Sequence, residues 1–289
     1  MRSKKKLFYF LWVVAAVIAA LAAKTYPENI ATENFAVTFV DIGQGDATFF
    51  EAPCGTTVLI DGGEAEEYEK SLLPFLSSRG REAVDIAIVS HYHSDHEGGI
   101  YESLLDGMVE KLILPDYPDT DGTRKGLERV AKRSGCEIEY VSKGDIIKIS
   151  EEFSLKVLHP EEGGSEGKNF HNNSSLVIMA SCFDTEILLT GDIESRVENG
   201  IFAEEDIECD ILKVAHHGSS SSSSKGFLTA ADPTYAVISA GKGNSYGHPH
   251  NETLENLEND DIRVYRTDTD GDITFEIAKD GIKNIHTER

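Results

Sequence analysis

Three histidines and an aspartate, His91, His93, Asp95 and His96, fall within six residues of the chain, in the stretch Val89-Ser90-His91-Tyr92-His93-Ser94-Asp95-His96-Glu97-Gly98-Gly99. Imidazole and carboxylate are ligands of zinc, and of manganese or iron in some enzymes. A single histidine in a polar turn would be an ordinary hydrated loop. Four such groups at this spacing are a metal-binding pattern. His91 and His93 are two apart, so in an extended segment they point the same way and can grip one ion. Asp95 and His96 come where the chain turns, and can face a second.

These groups need rigid support. Residues 83–90 are apolar and rich in β-branched side chains, which reads as a buried strand. Beyond Gly98-Gly99, residues 100–105 have helical spacing. The ligands therefore sit on the loop leaving the C-terminal end of a strand, where open α/β sheets bind their ligands. Further strand signals cover 35–41, 47–51, 57–61, 109–114, 137–141, 146–149 and 153–158, then 176–180, 186–189, 210–215, 235–239, 262–265 and 273–277. Helical periods mark 66–78, 123–134, 193–203 and 252–258. Two strand-rich halves that each carry helices suggest two packed sheets with helices outside.

The motif His91-x-His93-x-Asp95-His96 with Gly98-Gly99 resembles the signature of the metallo-β-lactamase superfamily. Four further stretches resemble the extramembrane hydrolase domain of ComEC-type DNA-uptake proteins. They are Val40-Asp41-Ile42-Gly43-Gln44-Gly45-Asp46-Ala47, Leu59-Ile60-Asp61-Gly62-Gly63, Leu189-Thr190-Gly191-Asp192 and Leu212-Lys213-Val214-Ala215-His216-His217-Gly218-Ser219. Tyr246-Gly247-His248-Pro249 fits the same group, and the match runs from about residue 35 to the end. The resemblance implies one α/β domain over 35–289, a four-layer αββα sandwich with two metal ions at one edge between the sheets.

It also implies the remaining ligands. Asp192 would be the carboxylate bridging both metals, although its place before Ile193 also suits a helix N-cap. One of His216 and His217 would complete the second metal. Neighbouring side chains on a strand point to opposite faces, and His216 is favoured. The third ligand of the first metal would fall in the stretch 169–174, where His171 is the candidate, with His159 and Asn173 as competitors. Asp61 would brace the histidine loop, and Asp41 and Asp46, flanking the first tight turn, are placed beside it as supports. Asp95 would serve catalysis as well as binding, His248 would contact substrate or donate a proton, and Lys213 and Ser219 could hold a phosphate oxygen.

The chain has 289 residues, 40% of them hydrophobic, which is globular composition with ample core. Its net charge is −24. Residues 1–23 contain four basic groups and no acid, so the rest carries −28. Such a surface repels nucleic acid over most of its area, and action on long duplex DNA is disfavoured. Arg2 and Lys4, Lys5 and Lys6 precede an unbroken apolar run at 7–23. That is the layout of a secretory signal peptide or, at the lower length limit, a membrane anchor, with the remainder extracellular or at the cell surface. Residues 24–34 read as a linker. Cys54, Cys136, Cys182 and Cys209 are scattered, without a metal-binding or redox spacing.

Two divalent ions, zinc by donor type with manganese as alternative, lower the pKa of a bound water to about 7 and clamp the oxygens of an in-line displacement. The expected function is an exported metal-dependent hydrolase, first of all a phosphodiesterase acting on a phosphate ester, single-stranded DNA or a cell-envelope component. Hydrolysis of a lactam, lactone or thioester is the alternative, and an inactive accessory protein of DNA uptake a third reading.

Overall fold

The computed structural model describes residues 34–118, 120–165 and 167–289; the expected signal or anchor segment and residues 24–33 of the linker lie outside them. The first sheet is built from β1 (Phe35–Phe39), β2 (Thr48–Glu51), β3 (Thr57–Ile60), β4 (Val84–Ile88), β5 (Val109–Pro115) and β6 (Glu137–Val141), with β14 (Ile273–Ala278) and β15 (Gly281–Thr287) returning from the end of the chain. Its spatial order is β15-β14-β1-β2-β3-β4-β5-β6. The second sheet runs β13-β12-β11-β10-β9-β8-β7. Its strands are β7 (Ile146–Lys148), β8 (Phe153–His159), β9 (Val177–Cys182), β10 (Thr185–Leu189), β11 (Ile211–Lys213), β12 (Tyr235–Ile238) and β13 (Arg263–Arg266).

Each sheet is antiparallel over one part and parallel over the other. Strands β3 to β6 and β10 to β13 are the parallel blocks. Parallel strands need crossovers, and the helices α1 (Leu73–Ser78), α2 (Ser94–Leu105) and α3 (Thr123–Ser134) supply them on the first sheet. On the second sheet the crossovers are α4 (Ser195–Glu204), α5 (Lys225–Ala231) and α6 (Asn251–Asn259); a single turn, α7 (Thr267–Asp270), follows β13.

Three apolar layers hold the stack together. Phe35, Phe50, Ile88, Phe153, Ile178 and Ile211 fill the space between the sheets. Val89, Ile100, Leu104 and Leu127 seal the first sheet under its helices, and Leu188, Leu212, Phe227 and Leu257 seal the second. This is the αββα sandwich. The apolar run at 83–90 is continuous because β4 is covered on both faces, Ile88 meeting the second sheet and Ala87 the helices.

Three boundaries differ from expectation in ways that matter for the site. Helix α2 starts at Ser94, so Asp95 and His96 occupy its first turn and not a loop. Strand β11 stops at Lys213, before the histidine pair. Residues 65–78 are a 3-10 turn and a π turn leading into α1. Three elements left no legible signal, α5, the single turn α7, and β15. Helix α5 follows a run of serines at 219–224, with Ser224 as its cap accepting from the Phe227 N–H. Among the described residues no helix is long and apolar enough to cross a membrane.

Candidate metal centre

The site lies at one edge of the sandwich, where the C-terminal ends of β3, β4, β10 and β11 meet. Immediately after β4, Ser90 is held by Asp61, whose side chain accepts from the Ser90 N–H at 2.7 Å and the Ser90 hydroxyl at 2.6 Å. The same carboxylate faces His96 Nδ1 at 2.9 Å. A proton at Nδ1 donated to Asp61 leaves His96 Nε2 bare and turned toward the pocket. Asp61 thus contacts both Ser90 and His96 from behind the pocket.

Helix α2 comes very close to the β3 turn. A Cβ on Gly99 would lie 2.0 Å from the Gly62 carbonyl oxygen, and one on Gly45 2.2 Å from that of Asp95. The glycines let backbone rest on backbone: Gly62 N–H donates to the His96 carbonyl at 2.7 Å, and Asp46 N–H to that of Asp95 at 3.1 Å. Gly98-Gly99 therefore serves contact with the neighbouring turn, inside the helix.

Two donor groups result. His91, His93 and Asp192 have ligand atoms within 4.8 Å of one another, as do Asp46, His96, Asp192 and His217. Asp192 belongs to both. Its oxygens stand 3.9 Å from His91 Nε2, 3.3 Å from His96 Nε2 and 3.7 Å from His217 Nε2. Asp95 Oδ2 approaches His217 Nε2 at 3.3 Å. Asp192 caps no helix: α4 begins after Glu194, and the Asp192 N–H donates to Ser175 Oγ at 3.1 Å.

The leaning toward His216 is corrected. His217 is buried at 2% exposure, sits in the second donor group and faces the Ser239 carbonyl through Nδ1 at 3.1 Å. His216 stands at the pocket wall, its Nε2 3.8 Å from Asp192. Strand alternation does not apply, because both residues lie beyond β11 in a tight turn with left-handed φ values of 52° and 54°. Such a conformation is costly for a residue with a Cβ and concentrates at functional sites.

Other expectations are also corrected. His171 lies next to His93, but its ring nitrogens face Thr120 Oγ1 at 2.8 Å and Tyr117 Oη at 3.4 Å, outside both donor groups. His159 is engaged with the Asn173 carbonyl, and the Asn173 side chain with Glu194. The residue of that stretch that lines the pocket is Asn172, with a buried Oδ1 that has no hydrogen-bond partner. The sequence covered Asn172 only within the stretch 169–174, where its neighbour Asn173 was the asparagine named. Asp41 is no support for the site, since it pairs with Arg289 at 2.7 Å. Lys213 does not reach substrate. It is buried, and its Nζ holds Asp46 at 2.7 Å. Ser219 is buried against Ser221, also off the pocket lining.

Asp46 is near enough to count with the ligands, yet Lys213 holds one oxygen and the other faces His217 Nδ1 at 3.2 Å. It stands behind the ring, on the side away from Asp95. Its oxygens are thus turned to Lys213 and to the back of the His217 ring.

The donor set fits a cation. His96 Nε2, His217 Nε2 and Asp192 Oδ1 are buried, converge, and have no hydrogen-bond partner. Leaving such atoms unsatisfied costs about 1–3 kcal/mol each, which a divalent ion would remove. Electrostatics agree. Burial opposes positive charge on His217, but Asp192 and Asp46 outweigh it and raise its pKa to about 10, a negative potential that a metal ion would satisfy in place of the proton. His96 is likewise raised against burial by Asp192 and Asp61. Burial and the neighbouring His96 push His91 well below the usual histidine range, and burial also lowers His93, leaving both neutral as ligation requires.

The centre opens into a cavity of about 290 Å³, whose walls include Gln44, Glu64, Ser94, Tyr246 and His248. Burial, helped by His217 and His216, lowers His248 to about 4. It is neutral at neutral pH, which suits a hydrogen-bonding contact and not a store of protons.

The sandwich and its edge cluster of imidazoles and carboxylates define the class of metal-dependent hydrolases with an αββα core. Residues 40–242 match the family described as the metallo-β-lactamase superfamily, and the chain belongs to it. It is 36% identical over 256 residues to ComE operon protein 3 of Bacillus subtilis, covering 83% of this chain and 32% of that one. It is 28% identical to competence protein ComA of Neisseria gonorrhoeae, covering 89% and 34%. The chain thus spans about a third of the length of these curated relatives. The metallo-β-lactamase fold protein YhfI of B. subtilis superposes with a TM-score of 0.54 at 12% identity, covering 80% of this chain and 95% of that one, which shows the shared fold. The resemblance to competence proteins drawn from the motifs is borne out.

Proposed function

We propose that the protein is a phosphodiesterase whose site holds two divalent cations, zinc by its imidazole-rich donors with manganese as the alternative. The observation that carries this reading is Asp192, one carboxylate common to two donor groups at the floor of an open pocket. His91 and His93 would hold one ion, Asp95, His96 and His217 the other, with Asp192 between them. Bound ions of this kind supply an ionisable water near neutral pH and stabilise charge on a phosphoryl oxygen.

The chain's own residues do the rest. Asp61 and the Ser239 carbonyl fix the tautomers of His96 and His217, and Asp46 stands behind the His217 ring, so no ring has to reorganise during reaction. Neutral His248 and Asn172 line the wall where they can hydrogen-bond a substrate oxygen. Among the described residues the pocket lining carries Glu64 and no lysine or arginine, so substrate charge must be met at the metal centre. The acidic surface favours short or single-stranded substrates over long duplex.

Purified protein is expected to contain about two equivalents of transition metal and to cleave bis-p-nitrophenyl phosphate, with activity lost on chelation and restored by zinc or manganese. Cleavage of nitrocefin or a thioester in place of every phosphodiester offered would overturn the reading. Metal bound without turnover on any substrate would favour an accessory role in DNA uptake.

We also propose export, on the basic and apolar layout of residues 1–23. An alkaline phosphatase fusion after residue 34, which is active only outside the cytoplasm, is expected to be active. A silent fusion paired with an active cytoplasmic reporter would refute it.

A further inference from the structure

Four large apolar side chains stand exposed among the described residues, Leu105, Tyr140, Ile146 and Tyr246, and of these Tyr246 alone lines the pocket. Its exposure is 66%. The ring lies nearly parallel to that of His248, with planes 18° apart and centroids 5.7 Å apart. His250 backs His248 edge-on at 4.9 Å. The loop beneath is tied down. Asn244 Oδ1 accepts from the Tyr246 N–H at 3.1 Å and the His248 N–H at 3.0 Å, while Asn244 Nδ2 donates to the Gly241 carbonyl at 2.9 Å and to that of His248. His250 Nδ1 accepts from the Ser220 N–H at 3.0 Å, fastening the loop to the segment beyond His217.

An aromatic ring held this way, one face backed and much of its surface bare, is preformed for a flat partner, since little freedom remains to be lost on binding. Among the described residues no lysine or arginine lines the pocket to hold a phosphate flank. A substrate that carries a phosphodiester must then be anchored at the rim by something other than charge. Stacking does this, and it tolerates any base because every base has a π-face.

We propose that Tyr246, backed by His248, is a stacking platform for the base of an unpaired nucleotide joined to the scissile phosphate. The inference rests on the phosphodiesterase reading and names the substrate flank. A base inside a duplex has both faces covered by its neighbours, so the platform selects single strands and frayed ends. Stacking is also less sensitive to salt than contact with phosphates, so affinity should change little with ionic strength.

The test compares a thymidine dinucleotide with its abasic counterpart, in which tetrahydrofuran replaces both bases. For the parent, kcat/KM is expected to favour the base-bearing dinucleotide about 5- to 150-fold, the span for one stacked base, with the difference in KM. Tyr246→Ala should bring the ratio close to one, and Tyr246→Phe should keep it. Binding of methylphosphonate-linked versions of both, measured by calorimetry, gives the same comparison without turnover. Equal handling of the two dinucleotides by the parent, or an unchanged ratio in Tyr246→Ala, would overturn the platform while leaving phosphodiester cleavage standing. A Tyr246-dependent binding preference without cleavage of either would support the platform and sink the phosphodiesterase reading.

Discussion

Replacing Asp192 by asparagine is expected to give a folded protein that has lost at least one metal equivalent and turns over any parental substrate at least about 100-fold more slowly. Changing a partner that only supports a ligand typically costs 10–100-fold, and this residue stands between two donor groups. Asparagine has nearly the same volume, and the Asp192 N–H can still donate to Ser175 Oγ, so the local backbone has no reason to move. What disappears is a buried negative charge facing His91, His96 and His217. Burial alone would raise the Asp192 carboxyl, and its interactions with His96 and His217 hold it well below the usual range instead. Metal content, circular dichroism and turnover of the variant give the answer together. Near-parental turnover with full metal content would show that Asp192 is no shared ligand.

The second large effect belongs to Lys213. Lys213→Met is expected to destabilise the domain by about 3–5 kcal/mol, since it strands the Asp46 carboxylate in the interior. Burial works against ionisation of Asp46, but Lys213 and His217 prevail and lower it from 3.8 to about 2. The sign follows from that depression. The pair's contribution is complete above pH 3.8 and is lost as pH falls toward 2. Adding Asp46→Leu should recover much of the stability, because a matched apolar pair replaces a buried ion pair at little cost. It should not recover metal affinity, because His217 would have lost its support. Urea denaturation and metal titration of the single and double variants separate these effects. A Lys213→Met protein as stable as the parent would refute the assignment.

The first donors were legible because they are consecutive and follow an apolar run. Helix α3 and strand β6 were found to the residue, since each carries a complete local pattern. The rest of the site depends on contacts that no local pattern encodes. His217 outranks His216 because β11 ends two residues before the pair, a boundary fixed by pairing with β10 and β12. Lys213 looks like a phosphate ligand next to a histidine pair, and only its burial against Asp46, far back in the chain, reveals a structural cation. Asp41 looked like Asp46 across a glycine turn. Its partner, Arg289, is the last residue of the sequence.

That return of the chain end has a consequence for how the protein can be handled. Strand β1 lies inside the first sheet because β14 pairs with it, Phe35 opposite Ile277 and Phe39 opposite Ile273. Beyond β14 comes β15, an outer strand whose Lys283 and Asn284 are exposed, and a charged side chain such as Lys283 discourages other strands from adding on. A fragment trimmed before residue 273 keeps every candidate ligand and still loses this finish. Strand β1 would become an open edge carrying Phe35, Val37 and Phe39 from the interior, a template for self-association. Boundaries chosen around the ligand motifs alone would therefore yield an aggregation-prone piece, and the smallest sound unit runs from β1 through β15.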